Sequence, residues 1–163
     1  TEVYFSVRGR KWFKDSGFIR NPGEFGNLPA GEVFIAPVEE TVNGKIVFDS
    51  FEYCGSRVKL MVENGKVKEI KGECKKLEKI FKKNENARQV CEFGIGCNPK
   101  AKVIGLILED EKSLGTVHFG LGDNLGFGGR NKANFHVDGV IKKPTVKVDN
   151  RVIIEKGKFK VKI

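Results

Sequence analysis

Residues 57–72 read RVKLMVENGKVKEIKG, and this stretch sets the class of the fold. Val58, Leu60 and Val62 alternate with polar residues, Asn64-Gly65 follows, and Val67 and Ile70 resume the apolar pattern. Alternation with period two marks a strand with one buried face. Asn-Gly between two such runs favours a type I′ turn, because both residues tolerate positive φ. The stretch is therefore read as a β-hairpin. Directly after it the period changes. In ECKKLEKIFKKNENARQV, residues 73–90, Leu77, Ile80, Phe81, Asn84, Ala87 and Arg88 recur at helical spacing without an intervening Gly or Pro. One amphipathic helix is expected near residues 73–88, with a break around Asn84.

Outward from this unit the chain returns to strands. EVFIAPVEETVNGKIVFD, residues 32–49, holds two runs rich in Val, Ile and Phe around an expected turn at Asn43-Gly44. EDEKSLGTVHFGLGD, residues 109–123, reads as a short helical turn followed by a strand through His118. From Val137 onward short strands are separated by turns at Asp149-Asn150 and Lys156-Gly157. No repeat and no low-complexity segment interrupts the pattern. The expected class is α+β, a strand-rich single domain over residues 1–163 with one principal amphipathic helix.

Length and composition narrow the function classes. A chain of 163 residues buries a core without staples. No apolar run reaches the roughly 18–20 residues that span a bilayer, so no membrane partner is expected. No basic leader with an apolar centre opens the chain, and a strand is already under way at TEVYFSVRGR, which reads as a piece of a longer protein in the cytoplasm. The net charge of +9 raises the question of nucleic acid. The lysines are dispersed over strands, hairpins and helix, and the aromatics alternate inside apolar runs, so nucleic acid is an unlikely partner. Cys54, Cys74, Cys91 and Cys97 show neither CxxC pairs nor zinc-finger spacing. Four reduced thiols are the favoured reading, with a Cys91–Cys97 disulfide as the alternative.

The glycines of GLGDNLGFGGRN, residues 120–131, do not form a nucleotide fingerprint, since Leu125 stands where the third Gly is required and no long helix follows. They are expected to bend the backbone around a functional centre or to form a flexible lid. Metal ligation is the chemistry best supplied. Glu32 in LPAGEVFIAP and Glu92 in VCEFGIG are acids in apolar runs, costly unless paired or metal-bound. His118 follows the acidic group Glu109, Asp110 and Glu111. His136 and Asp138 stand two apart, which on a strand points both to one face. Each feature alone is common, and hydrogen-bonded histidines with solvated acids remain the alternative to a metal site.

GNLPAGEVFIAPVEETVNGKIVFD, EFGIGCNPKA, LEDEKSLGTVHFGLGDN and FHVDGV together resemble the aminopeptidase T / aminopeptidase S family of thermophilic metallopeptidases, close to its archaeal leucyl-aminopeptidase-like members. The resemblance runs from TEVYFSVRGRKW to the final strands. It implies a cytosolic metallo-aminopeptidase hydrolysing N-terminal residues from peptide substrates, a homodimer, with two divalent ions (zinc, cobalt or manganese). It implies Glu32, Glu92, His118, His136 and Asp138 as metal ligands and Glu111 as the general base. Leu125 stands where bacterial members place a tyrosine, which makes Asp123 an extra ligand candidate, with Asn124 as its alternative. By the same resemblance residues 1–163 are expected to correspond to the C-terminal, metal-carrying domain, without the usual N-terminal α/β domain. A basic strand-rich binding module and an inactive metallopeptidase relative are the competing readings.

Overall fold

A computed structural model describes residues 1–54 and 57–162. In chain order the strands are β1 (Glu2–Tyr4), β2 (Phe13–Asp15), β3 (Glu32–Ile35), β4 (Asn43–Val47), β5 (Ser50–Phe51), β6 (Lys59–Glu63) and β7 (Lys66–Lys71). After the helix α1 (Lys75–Lys83) come β8 (Val90–Gly96), the short helix α2 (Ile107–Asp110), β9 (Val117–Gly122) and β10 (His136–Ile141). The chain ends with β11 (Val146–Val148), β12 (Arg151–Glu155) and β13 (Lys158–Phe159). A six-stranded sheet runs β2-β3-β8-β9-β10-β5, a four-stranded one β1-β4-β6-β7, and a three-stranded one β11-β12-β13.

The hairpin read at residues 57–72 forms as β6 and β7, closing at Glu63↔Lys66 with positive φ at both Asn64 and Gly65. Val58, Leu60, Val62 and Val67 are buried, so the alternation read in the sequence is the core face. The turns at Asp149-Asn150 and Lys156-Gly157 also form, with Asp149, Lys156 and Gly157 at positive φ. α1 buries Leu77 and Phe81, one turn apart, and turns its lysines outward. It stops at Asn84, whose amide bonds Ile80 O and whose side chain accepts from Asn86 N. That cap starts a separate 3-10 turn over Glu85–Arg88, so the expected break falls at Asn84.

Two expectations are corrected here. The α+β class with one principal helix does not hold. Strands carry the architecture, and α1 is joined by a second helix, α2. The Asp110 carboxylate accepts from Ile104 N and Gly105 N and ties down the loop entering α2, a local side-chain contact that the periodicity of four residues cannot reveal. Asn43-Gly44 is not the turn of a hairpin. The bend is the 3-10 turn Glu39–Thr41, and β3 and β4 lie in different sheets. Gly44 sits inside β4 with φ +126, where an added Cβ would stand 2.3 Å from Glu2 O.

The thiol expectation changes as well. Cys54 and Cys74 are joined in a disulfide across a sequence separation of 20, while Cys91 and Cys97 are free. The pairing joins the segment after β5 to the start of α1, elements that no local spacing brings together. Among the described residues no helix is long and apolar enough to cross a membrane.

Candidate metal centre

Strand register decides which side chains meet. Glu32 pairs with Gly96, Gly94 with His118, Glu92 with Gly120, Gly120 with Asp138, and Gly122 with His136. Opposed residues share a face, so Glu32, Glu92, His118, His136 and Asp138 all lie on one face of the six-stranded sheet. The opposite face presents Phe93, Ile95, Val117, Phe119, Leu121, Val137 and Ile141, all part of the hydrophobic core. The two faces thus divide chemistry from packing along the same strands. β8 is buried along its whole length, which explains why Glu92 stands in an apolar run.

Glycines give the donors room. A Cβ on Gly120 would lie 2.9 Å from Asp138 Oδ1, 2.9 Å from Glu92 Cβ and 3.0 Å from His136 Nε2. A Cβ on Gly94 would lie 1.9 Å from His118 Nε2. The space that side chains would fill on β8 and β9 is taken by the donors themselves.

Glu92, His136 and Asp138 each place one ligand atom within 4.8 Å of the others, a group able to hold a metal ion. His136 Nε2 stands 3.3 Å from Glu92 Oε2 and 3.4 Å from Asp138 Oδ2. Its other nitrogen, Nδ1, lies 3.0 Å from the carbonyl of Asp123. A ring N–H donated to that carbonyl leaves Nε2 with its lone pair toward the carboxylates, the tautomer a metal ligand needs. Cys91 Sγ lies 3.6 Å from the same Nδ1. It reaches there because the β8–β9 register shifts between Val90 and Glu92 and leaves Cys91 unpaired. Burial pushes the Cys91 thiol up to about 12, so it stays protonated.

His118 approaches Glu92 from the other side, with Nε2 3.4 Å from Glu92 Oε1 and 3.4 Å from Glu32 Oε2. Glu32 also holds the ammonium of Lys112, at 2.7 Å from Oε1, and Lys112 bonds Glu111 as well. Lys112 is almost fully buried, and a partner 80 residues away in Glu32 leaves no local mark in the sequence. Its position inside the EDEK acidic group was the available signal.

Four carboxylates, Glu32, Glu92, Glu111 and Asp138, thus surround one ammonium and two imidazoles. Burial works against charge on His118, but the Glu92 hydrogen bond and the charges of Glu92, Asp138 and Glu32 bring it up to about 9. His136 is raised for the same reason, with Asp138, Cys91 and Glu92 outweighing burial. Burial would raise Glu92, yet hydrogen bonds and charge from both imidazoles hold it down to about 2. Burial first, then the charge of Asp138, lifts Glu111 to about 7. A metal ion bound here would exchange for these protons. Asp138 Oδ1, Glu32 Oε2 and His118 Nδ1 are buried without a hydrogen-bond partner among the described residues. Orphaned carboxylate oxygens in a mixed nitrogen and oxygen donor set fit a divalent ion.

Asp123 contributes through its backbone carbonyl. Its carboxylate accepts from Leu125 N at 3.1 Å and Ala133 N at 2.8 Å, which shapes the following loop. Asn124 is fully buried and bonds Glu39 and the Cys91 carbonyl. Beside Asp138 and Glu111 a cavity of about 470 Å³ opens between Ser50–Glu52 and Gly105–Leu108.

An antiparallel sheet with an apolar face on the core and a face of carboxylates and imidazoles defines a strand-built candidate metal site. The family model NicX, 2,5-dihydroxypyridine 5,6-dioxygenase, matches residues 1–161, and the chain belongs to that family. A curated relative is 2,5-dihydroxypyridine 5,6-dioxygenase of Pseudomonas putida, 24% identical, with 86% of this chain and 46% of the relative covered. Among solved structures, the 2,5-dihydroxypyridine dioxygenase of Pseudomonas putida KT2440 superposes with a TM-score of 0.81 at 21% identity, over 96% of this chain and 53% of that one. AmpT from Thermus thermophilus superposes with a TM-score of 0.74 at 20% identity, over 98% of this chain and 49% of that one. The chain spans about half the length of these relatives.

These findings correct the functional expectation. The family match and the curated relative point to a dioxygenase, an oxidoreductase, so the aminopeptidase reading with its hydrolase and protease character is set aside. The binding-module and inactive-peptidase alternatives go with it. The likeness to AmpT is one of fold. One fold serves different chemistry, so a likeness of fold does not decide the reaction.

Proposed function

We infer that this chain forms the metal-carrying half of a dioxygenase acting on 2,5-dihydroxypyridine or a closely related dihydroxylated nitrogen ring. The observation that carries the reading is the family match over residues 1–161, with Glu92, His136 and Asp138 converging on one face of the sheet. Glu92, His136 and Asp138 would hold one divalent ion, with His118 alongside at Glu92 Oε1. Two imidazoles with carboxylates suit non-haem iron, whose usual protein ligands are two His and one carboxylate. Bound there, iron supplies the one-electron chemistry by which dioxygen reacts with a closed-shell ring.

The chain's own residues prepare the site. The Asp123 carbonyl fixes the His136 tautomer. Glu32 and Glu111 hold Lys112, so a buried cation sits beside the carboxylates and offsets their repulsion. Glu111 lines the cavity next to Asp138, where it is placed to accept a proton from a ring hydroxyl. Leu106, Ile107, Leu108 and Phe51 give the same cavity an apolar wall suited to a flat ring. Oxygen uptake by the full-length, iron-loaded protein supplied with 2,5-dihydroxypyridine tests the reading. Uptake that disappears in Asp138→Asn supports it, and no uptake by iron-loaded wild type refutes it.

A further inference from the structure

The donor face holds a cation of its own. The Lys112 ammonium stands 2.7 Å from Glu32 Oε1 and bonds the Glu111 carboxylate as well. Lys112, Glu32 and Glu111 are all buried, so this charge is met by protein and not by water. The backbone that carries it is pinned: Lys112 N donates to Glu109 O at 3.1 Å, and Lys112 O accepts from Asn98 N at 2.9 Å. The ammonium is held in place from both ends of its side chain.

Around it lies a second set of donors. A Cβ on Gly94 would stand 1.9 Å from His118 Nε2, so the imidazole lies across β8, toward Glu32 on β3. His118 Nε2 is 3.4 Å from Glu32 Oε2 and 3.4 Å from Glu92 Oε1. Glu32 Oε2 is buried without a hydrogen-bond partner among the described residues. An imidazole, two carboxylates and a Glu92 shared with the neighbouring donors are the material of the second half of a two-metal site. Yet among the described residues only Glu92, His136 and Asp138 converge closely enough to hold an ion. Glu32 and Glu111 are spent on the ammonium.

We propose that Lys112 fills the place of a second cation and so holds the centre to one divalent ion, an inference that rests on the metal-site reading above. An ion on Glu32 would share that carboxylate with the ammonium, and positive charges so close repel strongly in a buried site. Lysine supplies the charge that Glu32 and Glu111 need but offers no coordination, so the two-ion clamp that serves hydrolysis is not assembled. The resemblance to metallopeptidases implied two ions, and Lys112 is the residue that removes one of them. Without the ammonium, Glu32, Glu111 and His118 would be free to take a second divalent ion, with Glu92 between the two.

The test is equilibrium dialysis of the full-length protein against manganous ion, with metal per chain counted and electron paramagnetic resonance recorded on the same samples. Wild type should hold about one ion with an uncoupled signal, and Lys112→Ser about two, with the signal reduced by magnetic coupling between neighbouring ions. Adding Glu32→Gln to Lys112→Ser should return the count to about one. Lys112→Gln, which is uncharged and fills more of the space, takes the place of Lys112→Ser if that variant fails to fold. A folded Lys112→Ser that holds a single ion, or a second one without coupling, would overturn the inference. A coupled pair in wild type would overturn it while leaving the metal reading intact. Wild type that binds no ion would refute the metal reading and this inference with it.

Discussion

Replacing Gly120 by Ala adds a single methyl group at the point where the donors converge. Its Cβ would stand 2.9 Å from Asp138 Oδ1, 2.9 Å from Glu92 Cβ and 3.0 Å from His136 Nε2. Comfortable contacts of this kind are about 3.5 Å, so each neighbour must give by about half an ångström. The neighbours sit on β8 and β10, on either side of β9, and cannot retreat in one concerted shift. Ligand distances at a metal tolerate about 0.2 Å. Metal affinity should therefore fall at least about tenfold and up to about a hundredfold, the range seen when ligand support is disturbed. The folding cost is that of mild overpacking, about 1–2 kcal/mol, which leaves a domain of ordinary stability folded. Gly126→Ala is the control, since its Cβ meets nothing within 4 Å. Titration of ferrous iron against a competing chelator gives the affinity, and urea unfolding of the same samples confirms the fold. A folded Gly120→Ala protein that binds iron within twofold of wild type would refute the claim that the glycine clears the donor site.

Burial would raise the Glu39 carboxyl, but hydrogen bonds from Arg130 N and its own amide, the Arg10 charge and Asn124 hold it below the usual range. A depressed folded-state value means the stabilisation is present above the unfolded pKa, near 4.5, and is lost as pH falls through the folded one. Glu39→Gln should thus cost about 2 kcal/mol in urea unfolding at pH 7 and progressively less below pH of about 4; an equal deficit at both pH values would contradict the ionised role. Reduction of Cys54–Cys74, whose separation is 20 residues, should lower unfolding free energy by about 3 kcal/mol from loop entropy. A urea midpoint unmoved by dithiothreitol would show that the cross-link contributes nothing.

What the sequence discloses of the site is tied to its short-range signals. The His136-Val137-Asp138 spacing and the acids of VCEFGIG and LPAGEVFIAP were readable because period-two geometry is local. The register that brings β3, β8, β9 and β10 together then places Glu32, Glu92, His118, His136 and Asp138 on one face. The hairpin at residues 57–72 and the stop at Asn84 were legible for the same reason, since turn and cap chemistry act within a few residues. Long-range pairings left no such mark. Lys112 reaching Glu32, Cys54 meeting Cys74, and Phe127 bridging Phe34 and His136 depend on how distant strands stack. Helix α2 reads only as a short turn because its four residues are too few to show a helical period, and the Asp110 carboxylate that holds the loop before it follows no apolar pattern. The chemistry was the least legible layer, because AmpT and the 2,5-dihydroxypyridine dioxygenase share this scaffold.

Whether Glu92, His136 and Asp138 hold a metal ion is decided by measuring iron bound per chain in wild type and in His136→Ala after anaerobic loading and desalting. Wild type should retain about one ion per chain and His136→Ala should lose it, with the fold retained by circular dichroism. Wild type that retains no ion, or a folded His136→Ala that retains as much as wild type, would contradict the assignment.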